Sequence, residues 1–216
     1  MLTDEECRRC AEGLLDAART GTPITALGHT FPGLTIADAY RIQRWWLQAR
    51  CAAGARAIGY KVGLTSAATQ ALFGAAEPIT ARIVPAFEIV AQRTEASRAL
   101  ADAIADNGAH GAIVLGSDGI SPAEADIAAI SATLFRSRER VESGIASSVM
   151  GHPAAAVAWL ARALHAAGER LERSQIILTG TLTRAVEVVA GDVYRAEYVV
   201  SAREPAALGA LEVSFG

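Results

Sequence analysis

The sequence of 216 residues predicts an α+β fold, with helices first and a mixed, mostly antiparallel sheet system after them. Three observations lead there. Cap signals and helical periodicity fill the N-terminal part, while short β-rich runs bounded by Gly, Pro and Asp dominate the remainder. No repeat, low-complexity tract or long linker cuts the chain in two. Hydrophobic residues make up 51% and charged residues 20%, the balance of a packed globule rather than of a disordered chain.

The first helix is signalled by Thr3-Asp-Glu-Glu6, a capping box in which the Thr3 hydroxyl takes the Glu6 amide and Glu6 returns to Thr3. Behind it Cys7, Cys10, Ala11, Leu14, Leu15 and Ala18 recur at helical spacing, so residues 4–19 form an amphipathic helix ending before Gly21. After a turn-rich stretch, Thr35 caps a second helix over 36–53. Ile36, Tyr40, Trp46 and Leu47 are expected toward its core and Arg41, Arg44 and Gln48 on its polar side. Cys7 and Cys10 make a C-x-x-C pair, but no second pair and no histidine stands at metal-ligand spacing. They read as small core-facing residues. With Cys51 the cysteines number three, which suits no disulfide framework.

A strand follows over 58–65, with Ile58, Tyr60, Val62 and Leu64 on one face. Lys61 occupies the other face between Gly59 and Gly63, which leave its ammonium uncovered. Ser66 then caps a short helix over 67–73 that Gly74 closes. So placed, the lysine can hold an anionic or carbonyl-bearing small molecule, or it can simply guard an edge strand against aggregation. The run 83–90 is β-rich but broken by Pro85, and alternation points Glu88 away from Phe87 and Ile89. A carboxylate in so apolar a run has to be paired, protonated, metal-bound or exposed.

Residues 95–105 read as a helix, and Asp106-Asn-Gly-Ala-His-Gly111 as a polar turn into a strand over 112–115. Runs 130–135 and 140–142 make a hairpin. Gly151-His-Pro153 opens an apolar helix over 154–167, with His152 hydrogen-bonding backbone. Buried strand 174–180 precedes two more, 185–189 with 193–200 about a Gly191-Asp192 turn, and then 210–215.

A formal charge of −3 and a pI near 5.8, with no basic stripe, argue against nucleic acid as a partner. No apolar run reaches membrane length, and Met-Leu-Thr-Asp-Glu-Glu is the reverse of a signal peptide. A cytoplasmic protein with a small-molecule substrate is the expectation.

Several segments, in order, resemble one family. They are Ala39-Tyr-Arg-Ile-Gln43, Gly59-Tyr-Lys-Val-Gly-Leu-Thr-Ser66, Pro85-Ala-Phe-Glu-Ile-Val90, Ala105-Asp-Asn107 and Val114-Leu-Gly116. Further on come Gly151-His-Pro-Ala-Ala-Ala-Val-Ala-Trp-Leu160, Ile176-Ile-Leu-Thr-Gly-Thr-Leu-Thr183 and Gly191-Asp192. The family is that of the 2-oxopent-4-enoate (2-hydroxypentadienoate) hydratases and 4-oxalocrotonate decarboxylases, within the fumarylacetoacetate hydrolase superfamily. The resemblance implies an N-terminal helical portion, 1–55, and a mixed β-sandwich roll, 56–216. It also implies Mg²⁺ or Mn²⁺ on three carboxylates, with a 2-oxo acid or its enol held against the metal for addition of water or loss of CO₂. Lys61 matches the family's active-site lysine and Glu88 the last of its metal-binding glutamates.

The departures bear on the chemistry. Between Gly74 and Pro85 the family carries a strand-bearing stretch with a Glu-x-Glu ligand pair; here ten residues, 75–84, stand there, with Glu77 as their one acid. Ile79 follows Pro78 where the family has an acid/base aspartate. Ala91-Gln92-Arg93 replaces a stretch with another. Hard divalent cations want several oxygen ligands, so Glu88 by itself supports weak Mg²⁺ or Mn²⁺ binding at most, unless Asp102, Asp106 or Glu95 comes near. The expectation is therefore a lyase or isomerase acting on an enolisable carbonyl or 2-oxo-acid-like compound without a tightly bound metal, with a biosynthetic dehydration or cyclisation among the reactions such a site would suit. A conventional metal-dependent hydratase or a non-catalytic partner subunit is the alternative. Lys61, Glu88 and His110 are the candidate catalytic groups; the family usually has a small residue where His110 stands. Tyr60, Gly63, Asn107, Thr179 and Thr181 are the candidate substrate contacts. Loss of a strand-bearing stretch predicts a homo-oligomer that covers the face left behind.

Overall fold

The structure, a computed structural model, describes residues 1–61, 82–95, 99–200 and 206–216. Its helices are α1 (Asp4–Thr20), α2 (Leu27–Thr30), α3 (Ile36–Ala52), α4 (Leu100–Ala105) and α5 (Pro153–Ala166). The strands are β1 (Gly59–Lys61), β2 (Ala86–Val90), β3 (His110–Leu115), β4 (Ile130–Arg136), β5 (Glu139–Ile145), β6 (Ile176–Leu178), β7 (Val193–Val200) and β8 (Ala206–Ser214). Gly63, Glu77 and the expected helix over 67–73 lie outside the described residues. Two compact units emerge, Met1–Ala57 with Glu88–Ile113, and Ile58–Phe87 with Val114–Gly216.

The first unit is built on α1 and α3, each opened by the reciprocal cap its sequence promises. Thr3 and Glu6 exchange hydrogen bonds at the start of α1, and Thr35 and Asp38 do so at the start of α3. Gly21 closes α1 with φ +71°, a left-handed conformation that costs glycine little. Cys7, Cys10, Ala11 and Leu14 pack against Ala39, Ile42 and Trp46, with Leu27, Ala101 and Ala105 completing the cluster. The expected phase of α3 is corrected here. Ile36, Tyr40 and Leu47 are 41%, 46% and 43% exposed, whereas Asp38, Ala39, Ile42 and Trp46 are buried. α3 carries apolar residues on two sides, and the side that includes the cap residue Asp38 is the one turned inward. Asp38 is fully buried and accepts from the Leu2 amide and from Arg41 as well as from Thr35. These contacts, the Thr35 hydroxyl foremost, hold its carboxyl below the ordinary range.

α4 starts at Leu100 rather than at 95, because Thr94 is extended beside Ile24 and the Glu95 amide donates to the Ile24 carbonyl. The buried carboxylate of Asp102 then accepts from the Ala99 and Gly28 amides, fastening both α4 and α2.

The second unit holds an antiparallel sheet in the order β5-β4-β7-β8. β4 and β5 form the expected hairpin, longer on the second arm than the sequence suggests. Along β7, Tyr194, Ala196 and Val200 are buried while Arg195 and Val199 face out, the period of two that a half-covered sheet requires. Residues 185–189 form no strand, contrary to expectation. The Tyr194 hydroxyl donates to the Glu187 carbonyl and accepts from the Val189 amide, so a side chain takes up backbone groups that a ladder would have used. β7 pairs instead with β4 and β8.

α5 opens with Pro153 in its first turn and with His152 as its cap, Nδ1 accepting from the Ala154 amide. Val149, Met150, Ala156, Leu160 and Leu164 form its buried cluster, against which Tyr60, Trp159 and Ile177 pack. β1 and β6 run parallel beside it. At Gly59 an added Cβ would come within 1.8 Å of the Ile176 carbonyl oxygen, so these strands meet only because that position has no side chain.

Three outcomes follow from this packing. Burial pushes the Cys10 thiol up to about 11 and raises that of Cys7, whereas Cys51 is exposed; a thiol reagent at pH 8 should modify one cysteine quickly in the native chain and all three after unfolding. Gly59→Ala should destabilise the fold by about 1–3 kcal/mol, seen as a lower urea midpoint, because overpacking against backbone has no flexible neighbour to absorb it. Asp38 has a depressed pKa in the native state, so its contribution is present above the ordinary carboxylate value and is lost as pH falls through the lower native one. Asp38→Asn should therefore lower the midpoint at pH 7, with the gap to wild type closing as pH falls below the ordinary carboxylate value.

Candidate active-site residues in the two units

In the second unit, the ladder places Tyr60 opposite Ile177 and Lys61 opposite Leu178. Because β1 and β6 are parallel, their carboxyl ends leave on the same side, and Thr179-Gly-Thr181 continues directly from the residue beside Lys61. Alternation turns Tyr60 onto the α5 cluster, and Lys61 onto the opposite face. Gly180 has φ +136°, and the Thr181 hydroxyl donates to the Thr183 carbonyl, so the segment turns sharply once it passes Lys61. It then crosses β5 at Gly144, where an added Cβ would sit 1.8 Å from the Leu182 carbonyl oxygen. Lys61 and the threonine segment are thus neighbours, fixed by two glycines that allow backbone to approach backbone.

In the first unit, β2 pairs with β3, and Glu88 and His110 come side by side. His110 Nδ1 lies 3.4 Å from Glu88 Oε1, with the side chains 30% and 25% exposed. The pair is open enough for a ligand and sheltered enough for a proton to be held between defined partners. Gly111 makes the approach of the strands feasible, since an added Cβ would lie 2.9 Å from the Ile89 carbonyl oxygen.

His110 is delivered by an unusual turn. Asn107, Gly108 and Ala109 all have positive φ, 51°, 64° and 57°, giving one turn of left-handed backbone. Such a conformation is costly at Ala109 and survives only where the surroundings dictate it. Arg93 does much of this. Its guanidinium donates to the Asp106 carbonyl, the Asp106 carboxylate and the His110 carbonyl, and so grips the turn at both ends. The Arg93 amide takes the second Asp106 oxygen, while the Ala91 amide donates to the Ala109 carbonyl. Trp46 of α3 lies under the guanidinium, with the ring centroid 5.4 Å from its central carbon. Gln43, also on α3, donates to Asn107 Oδ1 at 3.0 Å.

Of the acids considered as substitutes for missing ligands, Asp102 and Asp106 are buried and their carboxylates already bind amides or a guanidinium. Among the described residues, no three His, Cys, Asp or Glu side chains gather in a group able to hold a metal ion. The bracing role of Arg93 escapes a reading by motif, since an arginine in a loop carries no periodic signal, whereas Gln43 and Asp106 do belong to the Ala39–Gln43 and Ala105–Asn107 segments quoted above.

No family model matches the chain. Individual relatives do. The 2-oxo-hept-4-ene-1,7-dioate hydratase of Escherichia coli is 30% identical over 246 aligned positions, covering 87% of this chain and 92% of the relative. A 2-keto-4-pentenoate hydratase of Paraburkholderia xenovorans is 31% identical, covering 89% and 91%. A 4-oxalocrotonate decarboxylase of a Pseudomonas species is 27% identical, covering 88% and 92%. In three dimensions the chain is similar to a 4-oxalocrotonate decarboxylase of Pseudomonas putida solved with magnesium and adipate. The TM-score is 0.86, with 24% identity over 100% of this chain and 99% of that one. This last likeness establishes the mixed helix-and-strand fold. By sequence, over most of its length, the chain belongs to the 2-oxopent-4-enoate hydratase and 4-oxalocrotonate decarboxylase family, and is a lyase of that hydratase type.

Proposed function

We propose that this lyase acts on an enolisable 2-oxo acid or its enol without a tightly held divalent metal. The observation that carries the reading is the company Glu88 keeps. An imidazole stands at its carboxylate, and two acids further along the same unit, Asp102 and Asp106, are spent on backbone and arginine. Among the described residues that donor set does not fit a hard cation such as Mg²⁺, which favours several oxygens. The alignment with the E. coli hydratase spans 246 positions against 216 residues here, which supports loss of an internal stretch, the one expected to carry two metal ligands.

The residues suit acid–base work on their own account. Hydration divides a water molecule across a carbon–carbon double bond, so one group must take a proton from water and another must return one to carbon. The Glu88–His110 pair can do both in turn, the carboxylate accepting while the imidazolium donates. In the second unit, Lys61 with the Thr179–Thr181 segment sets an ammonium beside hydroxyl-bearing backbone, a combination suited to holding an anionic oxygen. The same groups run in reverse would dehydrate, or close a ring by an internal hydroxyl in place of water.

A magnesium-dependent form of the reaction is the second reading, favoured by the magnesium and calcium in the two similar decarboxylase structures. Turnover of 2-hydroxypenta-2,4-dienoate before and after dialysis against a chelator separates the readings. The metal-free enzyme should keep most of its rate after chelation, and Lys61→Ala should lose about a hundredfold or more in kcat/KM. Loss of activity on chelation with recovery on adding Mg²⁺ would establish the second reading. An intact protein that turns over no dienol at all would point to a non-catalytic partner subunit.

A further inference from the structure

The two outer nitrogens of Arg93 have different partners. Nη1 serves Asp106, donating to its carboxylate at 2.9 Å and to its carbonyl at 3.2 Å, whereas Nη2 donates to the His110 carbonyl. The Asp106 end has further support, because the Arg93 and Ala109 amides donate to it as well. Between the two ends runs the left-handed turn, whose costliest position is Ala109, fully buried with φ +57°. One buried guanidinium, lying over the Trp46 ring, therefore spans a strained turn from its first residue to its last.

We propose that Arg93 is a positioning residue for catalysis: through Nη2 it sets His110, and with it the imidazole, against Glu88, a task separate from the ion pair that Nη1 makes with Asp106. This rests on the reading above in which the Glu88–His110 pair moves the proton. The strain at Ala109 is what gives the Nη2 bond its consequence. A turn of this kind held at one end only relaxes toward right-handed backbone, and a shift of about 1 Å in a reacting group costs roughly a hundredfold in rate.

Lysine at 93 separates the two tasks. Its single ammonium can keep a charge beside Asp106, but it has no second nitrogen for the His110 carbonyl. With 2-hydroxypenta-2,4-dienoate as substrate, Arg93→Lys should lose about a hundredfold in kcat per folded molecule, with KM within about threefold of wild type. A purely structural role predicts a lower thermal midpoint and an unchanged kcat per folded molecule. Ala109→Gly supplies the rescue, since glycine holds the left-handed conformation without strain. Added to Arg93→Lys, it should restore about tenfold in kcat.

A readout independent of turnover follows the ring nitrogens of His110 in the ¹⁵N-labelled full-length chain, assigned by their loss in His110→Ala. At one fixed pH, Glu88→Gln should move these resonances in an otherwise wild-type chain and leave them nearly unmoved in Arg93→Lys. A wild-type kcat per folded molecule in Arg93→Lys, or a resonance response as large as in wild type, would overturn the proposal alone. So would failure of both Arg93→Lys and its Ala109→Gly double variant to fold, which would make Arg93 structural. Full turnover by His110→Ala would instead overturn the acid–base reading of the pair, and the catalytic role of Arg93 with it.

Discussion

The first unit depends on the buried pair Arg93–Asp106. Their side chains are 10% and 0% exposed, and bringing two such charges out of water is costly unless nearly every donor and acceptor is satisfied. Here the satisfaction is dense. Asp106 receives the Arg93 amide on one oxygen and a guanidinium nitrogen on the other, and the guanidinium also reaches two carbonyls and the Trp46 ring. Only a planar fork with several donors can serve acceptors spread in this way, so lysine would not replace Arg93. Removing one partner of such a pair typically costs about 3–5 kcal/mol, because the survivor stays buried and charged. The consequence is local order at β2, α4 and β3 together, and that order determines where Glu88, Asn107 and His110 stand.

The left-handed turn shows what this stabilisation is used for. Three successive residues with positive φ would not persist in an isolated peptide, and two of the three are not glycine. Strain of about 1–3 kcal/mol per such residue has to be offset by contacts made elsewhere. Right-handed backbone at the same place would reverse the direction of the chain after Asp106, and His110 would leave β2. The turn therefore trades conformational energy for the placement of an imidazole next to a carboxylate. Strained backbone around residues that carry chemistry is a recurrent arrangement in enzymes.

How much of this could be read in the sequence varied with the range of the interactions involved. Both long N-terminal helices and α5 follow from caps and spacing, since those signals lie within a few residues of one another. The inward face of α3 did not, because apolar side chains occupy two of its sides and burial of Asp38 is decided by Leu2 and Arg41 as well as by its own cap. Pairing in the sheet was misjudged at 185–189 for a related reason: the competitor of the expected ladder was a tyrosine hydroxyl from the following strand. Glu88 was legible as an anomaly, a carboxylate in an apolar run. His110 was singled out as well, but its place beside Glu88 was not legible, since nothing in the pattern of 106–111 announces a left-handed turn that brings it back to β2. Lys61 was marked by its flanking glycines, and Gly59 indeed has a steric duty, the close approach to β6.

The chemistry left to Glu88 can be argued from charge alone. On the metal-free reading proposed above, a carboxylate without companion carboxylates has little with which to recruit a dication, because the field that attracts one comes from several negative charges converging. A half-buried carboxylate still needs its charge balanced, and an imidazole at 3.4 Å can do so with a single proton. The difference matters to catalysis. A divalent ion polarises whatever oxygen it binds and has no proton of its own to give, whereas an imidazole can give up a proton and take one back. On that reading, exchanging one for the other would convert a site that activates by fixed positive charge into one that activates by moving a proton. Such a site needs its donors and acceptors aimed, since a hydrogen bond is directional where an ion's field is not. On the metal-free reading proposed above, that requirement gives the rigid backbone of 106–110 a use, since it fixes where the imidazole stands relative to Glu88.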